Sequence, residues 1–113
     1  MAVLALQIAE DHPCSAGHFH GNPIIPGALL LQEVLACIAD NLAQEGWMQN
    51  GLQILWQIKS AKFPQSARPG DTVQISYTHT SPDVIRFECH VLHRTVLSGI
   101  ASVATATPGN FPP

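Results

Sequence analysis

The sequence predicts an α+β domain in which an antiparallel sheet wraps around one long central helix. Three observations predict it. From Ala28 to Ala39 only Gln32 and Glu33 are polar, and no proline or glycine interrupts the run. After it come four segments of strand character, three of which alternate apolar and polar residues with the period of two that marks a half-buried strand. A short apolar segment, Val3–Ile8, precedes it as a further strand. A helix so apolar needs cover on nearly every face. A curved sheet leaves only one seam of it open, and a second subunit would cover that seam.

Val3–Ile8 is closed by Glu10-Asp11-His12-Pro13. The helix is expected over Pro26–Ala43. Asp40 and Asn41 end its apolar run well short of the roughly 20 residues that a membrane span needs. Gln44-Glu45-Gly46 makes a polar exit, with glycine at the C-cap. In the next segment Leu52, Ile54, Trp56 and Ile58 share one face opposite Gln53 and Gln57. Ala61 and Phe63 extend that inward face until Pro64 stops it. Ala67-Arg68-Pro69-Gly70-Asp71 is a turn in which proline and glycine supply the two restricted backbone positions. Val73, Ile75 and Tyr77 alternate with polar neighbours in the following strand, and Thr80-Ser81-Pro82-Asp83 turns the chain. Ile85, Phe87, Cys89 and Val91 then lie opposite Arg86, Glu88 and His90. A polar pause at His93-Arg94-Thr95 precedes a last strand from about Val96 to Thr107, in which Gly99 marks a bulge or a close backbone approach. Residues 1–108 form a single domain on this reading, and 109–113 are a C-terminal tail.

At 113 residues the chain can build one core. An apolar fraction of 46% with 12% charged residues argues against disorder. Five Lys plus Arg against eight Asp plus Glu give a formal charge of −3 without a basic cluster, which excludes nucleic acid as a partner. So few charges point to a self-associating subunit, a homodimer or higher homo-oligomer. Cys14, Cys37 and Cys89 form no Cys-x-x-Cys pair, and Cys37 and Cys89 read as small buried hydrophobes. The amino-terminal residues lack the basic n-region of a signal peptide, so a reducing cytoplasm is expected, without membrane insertion. GNPIIPG lacks the spacing and the following Lys-Ser/Thr of a phosphate loop. His18-x-His20 is the nearest approach to a metal motif. Neither a metal nor a cofactor is expected.

One stretch carries a resemblance. Gly17-His18-Phe19-His20-Gly21-Asn22-Pro23-Ile24-Ile25-Pro26-Gly27, followed by an apolar helix with a polar side chain in its second turn, resembles the central signature of the 3-hydroxyacyl-ACP dehydratases of fatty acid synthesis. Weaker similarity runs through Lys59-Ser60-Ala61-Lys62-Phe63 and Arg68-Pro69-Gly70-Asp71. The resemblance implies the hotdog fold and interconversion of 3-hydroxyacyl and 2-enoyl thioesters carried by acyl carrier protein or coenzyme A. It also implies a dimer whose pockets take a histidine from one subunit and an acid from the other.

His18 sits in a loop fixed by glycines and prolines, and a neutral imidazole near pH 7 can take a proton. In the dehydratases the matching histidine is the catalytic base. Gly27 begins the helix, where the first amides have no internal partner and point toward any oxygen that gathers negative charge. The family's equivalent amide stabilises the thioester enolate. A glycine serving only the tight turn after Pro26 is the other reading. His20 stands where the family normally has proline or another uncharged residue, as a second polar contact or a solvated loop residue.

Gln32 departs from the pattern. The family has a glutamate or aspartate there as general acid for the departing hydroxyl. An amide delivers no proton at neutral pH but hydrogen-bonds a hydroxyl or holds a water. Glu33 lies about 100° further round the helix and does not simply replace it. As an acid on an apolar helix it belongs at a subunit interface or a pocket mouth. Leu29, Leu30, Leu31, Trp56 and Phe63 are the candidates for lining an acyl pocket. Three accounts stand: slow dehydration by His18, another reaction on an acyl thioester such as hydrolysis, or acyl binding without chemistry in a structural subunit.

Overall fold

The computed structural model describes residues 2–10, 24–45 and 53–106. Cys14, His18 and His20 lie outside the described residues, as do Gly46, Leu52 and the tail. The elements are β1 (Ala2–Gln7), α1 (Gly27–Gln44), β2 (Gln53–Lys62), β3 (Thr72–Ser81), β4 (Val84–Val91) and β5 (Arg94–Ala106). The five strands form one sheet in the order β1-β3-β4-β5-β2, and every pairing is antiparallel. One long helix packed on such a sheet is the hotdog fold.

Period two explains the inner face of the sheet. Val73, Ile75 and Tyr77 of β3, Ile85, Phe87, Cys89 and Val91 of β4, and Leu97, Ala101 and Val103 of β5 are all buried. They meet Leu30, Val34, Leu35, Ile38 and Leu42 of the helix in one core. Each fully buried side chain of this size contributes about 1.5–3 kcal/mol. At the far end of the helix, the Asn41 amide donates to the buried Tyr77 hydroxyl at 2.5 Å and locks α1 to β3. Burial raises the Tyr77 pKa, and the bond from Asn41 partly offsets this.

The helix leaves one seam open, as expected. Ala28, Gln32, Ala36, Asp40 and Gln44, one residue in every four, are exposed along its whole length. Alanines made this side look apolar, although it is small and polar rather than greasy. The helix ends at Gln44 with Glu45 at the cap, one residue before the expected Gly46.

Two further local differences stand beside an expectation met at Gly99. The β2–β5 register shifts between Ile58 and Ser60, and a single extra residue turns every following side chain to the other face. Ile58, which precedes the shift, and Phe63, which follows β2, both expected to face inward, keep 38% and 43% of their surface exposed, whereas Ala61, after the shift, packs against the core as expected. Gly99 lies against this irregularity, where the Ser60 carbonyl and the Phe87 ring fill the space that a side chain would need. Finally, the pause between β4 and β5 shrinks to Leu92-His93, with Leu92 in the left-handed region at φ 56°. The Arg68–Asp71 segment is as expected. Gly70 has φ 90°, and the Asp71 amide donates to the Arg68 carbonyl at 3.1 Å, which makes a type II turn with Pro69 at its first corner.

Candidate active site

The amino end of α1 is held by several separate segments of chain. The Ile25 amide donates to the Ala67 carbonyl at 2.8 Å, just before the helix begins. The turn after Ala67 is hooked to the end of β1, with Ile8 donating to Asp71 and Gly70 donating to Ile8, both at 2.9 Å. Arg94 donates to the Ser66 carbonyl at 3.1 Å and lies 3.8 Å from the Asp71 carboxylate. Pro26 precedes the helix in an extended conformation, and its carbonyl accepts the first intrahelical bond, from Leu30 at 3.0 Å. No side chain caps this end, and the first turn carries no acidic residue. The partial positive charge of the first-turn amides is thus not neutralised by a carboxylate of their own turn.

A cleft of about 110 Å³ opens beside these amides. Ile25, Leu30, Ala67 and Val96 make its floor, each no more than 3% exposed. Phe63, Gln65 and Ser66 stand at its mouth. Phe63 keeps 43% of its surface exposed. Its ring lies so close to Gly27 that a Cβ added there would sit 3.1 Å from the ring. Glycine at 27 therefore makes room for the aromatic side chain as well as for a tight turn.

Of the residues singled out in sequence, Gly27, Leu30 and Phe63 come together at this cleft. Leu29, Leu31 and Trp56 are half-buried and pack against the core elsewhere. Gln32 is exposed, five residues beyond Gly27, about 7.5 Å along the helix and roughly 140° around it. It points away from the cleft of its own chain. Glu33 is half-buried and is engaged in an interaction. Cys37 is half-buried and Cys89 buried. Burial pushes the Cys89 thiol up to about 12 and raises that of Cys37, so neither is a ready nucleophile at neutral pH. Among the described residues, no group of three or more His, Cys, Asp or Glu could hold a metal, and no helix is long and apolar enough to cross a membrane. Ala67 and Val96 were missed in sequence, because a small or branched apolar residue beside a turn carries no local signal of a cleft.

Comparison with known proteins gives concordant results. A match to the ApeI-like family, ApeI dehydratase, spans residues 1–100. The 3-hydroxyacyl-[acyl-carrier-protein] dehydratase FabZ of Ehrlichia chaffeensis is 34% identical over 106 residues, covering 91% of this chain and 72% of the relative. FabZ of Thermus thermophilus is 36% identical over a shorter stretch, 58% of this chain and 47% of its own. Among solved structures, the fluoroacetyl-CoA-specific thioesterase FlK superposes with a TM-score of 0.73 at 13% identity, covering 94% of this chain and 89% of FlK. A hot-dog-like protein from Thermanaerovibrio acidaminovorans gives 0.66 at 11% identity, over 95% and 81% of the two chains. These two likenesses are of fold.

Proposed function

Because the chain belongs to the ApeI-like family, we propose that it acts on acyl thioesters of acyl carrier protein or coenzyme A, converting 3-hydroxyacyl to 2-enoyl thioesters with release of water. The observation that carries this reading is the apolar cleft at the uncapped amino end of α1, whose first residue, Gly27, follows His18 by nine positions in the sequence. The thioester carbonyl oxygen accepts from the Gly27 amide, which steadies the enolate as the α proton leaves. His18 takes that proton. The electron pair of the broken C–H bond forms the double bond as the C3–O bond breaks. With an amide at Gln32, the proton that completes water comes from the His18 imidazolium itself, while Gln32 holds the departing oxygen.

The site is proposed to form between two chains. Gln32 is exposed and turned away from the cleft of its own protomer, and β2 is an edge strand with Ile58 exposed. A homodimer brings Gln32 of one protomer to the His18 loop of its partner. Sedimentation equilibrium at micromolar protein is expected to give at least twice the mass of one chain, and the mass of a single chain would exclude the shared site. The free thiols Cys37 and Cys89 support a reducing, cytoplasmic setting.

Thioester hydrolysis is the second reading, and Gln32 favours it. An amide that binds water without delivering a proton suits attack on a carbonyl better than loss of a hydroxyl. The products separate the two. Short- and medium-chain 3-hydroxyacyl thioesters are assayed for enoyl formation, and saturated acyl thioesters for thiol release. Dehydration predicts slow enoyl formation, raised by Gln32→Glu, with no thiol released. Thiol release without enoyl product would establish the hydrolase. Binding without either product would make the chain a non-catalytic subunit.

A further inference from the structure

We infer that the free edge of β1 pairs, antiparallel and about a two-fold axis at Ala5, with β1 of a second copy of this chain. Among the described residues β1 pairs only with β3 and ends the sheet. Backbone alternation shows which of its groups are left over. Ile8, the residue after β1, donates to the Asp71 carbonyl and accepts from the Gly70 amide, both at 2.9 Å. Both its backbone groups therefore point to the β3 side. Successive residues of a strand turn these groups to opposite sides, so Ala2, Leu4 and Leu6 face β3 as well. The N–H and C=O of Val3, Ala5 and Gln7 line the outer edge.

Sheets guard such an edge with charge, proline or a bulge. Ala-Val-Leu-Ala-Leu-Gln has neither charge nor proline, and its register with β3 runs unbroken from Ala2 to Gln7. The Gln7 side chain does not screen the edge, being tied back to the Gly70 carbonyl at 3.2 Å and the Thr72 hydroxyl at 2.5 Å. The strand's fit to itself selects a second copy as the occupant. With Ala5 opposite Ala5, Val3 of each copy falls opposite Gln7 of the other, and these pairs exchange about six backbone hydrogen bonds. On the inner face, Leu4 of each copy then stands beside Leu6 of the other. Both leucines are only half-buried at the rim of the core, and the pairing covers more of them. On the outer face Val3, 54% exposed, gains the Gln7 stem as a neighbour. No charge is buried, and only methyl groups meet their own copies at the axis. The β2 edge, to which the shared site is assigned, is at the opposite end of the sheet. The two pairings do not compete, and together they build assemblies larger than a dimer.

The test is sedimentation of the intact protein across a micromolar concentration series, with far-ultraviolet circular dichroism confirming the fold of each variant. Ala5→Pro removes the central donor of the free edge. Because the Ala5 N–H faces outward, the ladder to β3 keeps its bonds, which is the setting in which edge strands accept proline. At the high end of the series the wild type is expected to show about twice the mass of A5P or more. Ala5→Lys and Ala5→Glu leave the backbone free and set like charges against each other across the axis. Each is expected to sediment as A5P does, and an equimolar mixture of the two is expected to regain the wild-type mass. A mass that A5P, A5K and A5E all leave unchanged would overturn the inference and leave the edge to a strand of another protein. A mixture no heavier than its components would overturn the two-fold pairing at Ala5. None of these outcomes bears on the chemistry proposed at α1.

Discussion

Replacing Gly99 by alanine is expected to destabilise the fold by about 2–3 kcal/mol, the upper part of the range for overpacked cores. A Cβ at this position would lie 2.5 Å from the Ser60 carbonyl oxygen and 2.7 Å from the Phe87 ring. Side chains can turn away from such a clash, and the Phe87 ring is one of them. The Ser60 carbonyl is backbone in a paired strand and cannot move without disturbing the bonds of β2 to β5. In a domain of this size the loss corresponds to a fall in Tm of roughly 10–20 °C. Thermal unfolding of G99A followed by far-ultraviolet circular dichroism checks it. A Tm within about 2 °C of wild type would mean that β2 sits further from β5 than described.

His18→Ala is expected to lower enoyl formation by about 10²–10⁴, the range over which general acid–base assistance acts. The effect should fall near the top of that range. In the proposed route one imidazole performs both proton transfers, because Gln32 does neither. Single-turnover rates for H18A, with analogue binding measured in parallel, separate lost chemistry from lost affinity. A residual rate within tenfold of wild type, with binding unchanged, would remove His18 from the mechanism. Combining H18A with Gln32→Glu adds a check. A helix glutamate is expected to rescue the single replacement only weakly, since the α proton would still lack its acceptor.

The strands of the sheet centre were legible because each is buried on one face only. Val73-Ile75-Tyr77 and Ile85-Phe87-Cys89-Val91 alternate without interruption and are buried residue by residue as their period demands. β2 was half legible. Its irregularity between Ile58 and Ser60 lies against Gly99, some 40 residues away, and although Gly99 itself reads as a bulge or close approach, no pattern within β2 says which residues it meets. Phe63, a sequence candidate for the pocket, lies beside the cleft and keeps 43% of its surface exposed. Gly27 could be read because helix starts follow general rules, whereas the cleft beside it is assembled from residues 24–30, 63–67 and 96, which meet only in the folded chain.

The topology also sets an order of events during synthesis. β1 pairs only with β3, Ala2 lying opposite Tyr77, and the leucine-rich side of α1 is covered by strands translated after it. At roughly 5–20 residues per second, a ribosome takes about 3–12 s to go from Gln44 to Ala106. For that interval Leu30, Val34, Ile38 and Leu42 have no sheet to pack against. The nascent chain of this design therefore carries an apolar helix face without its sheet until β5 is made, and slower synthesis between α1 and β5 would lengthen that interval.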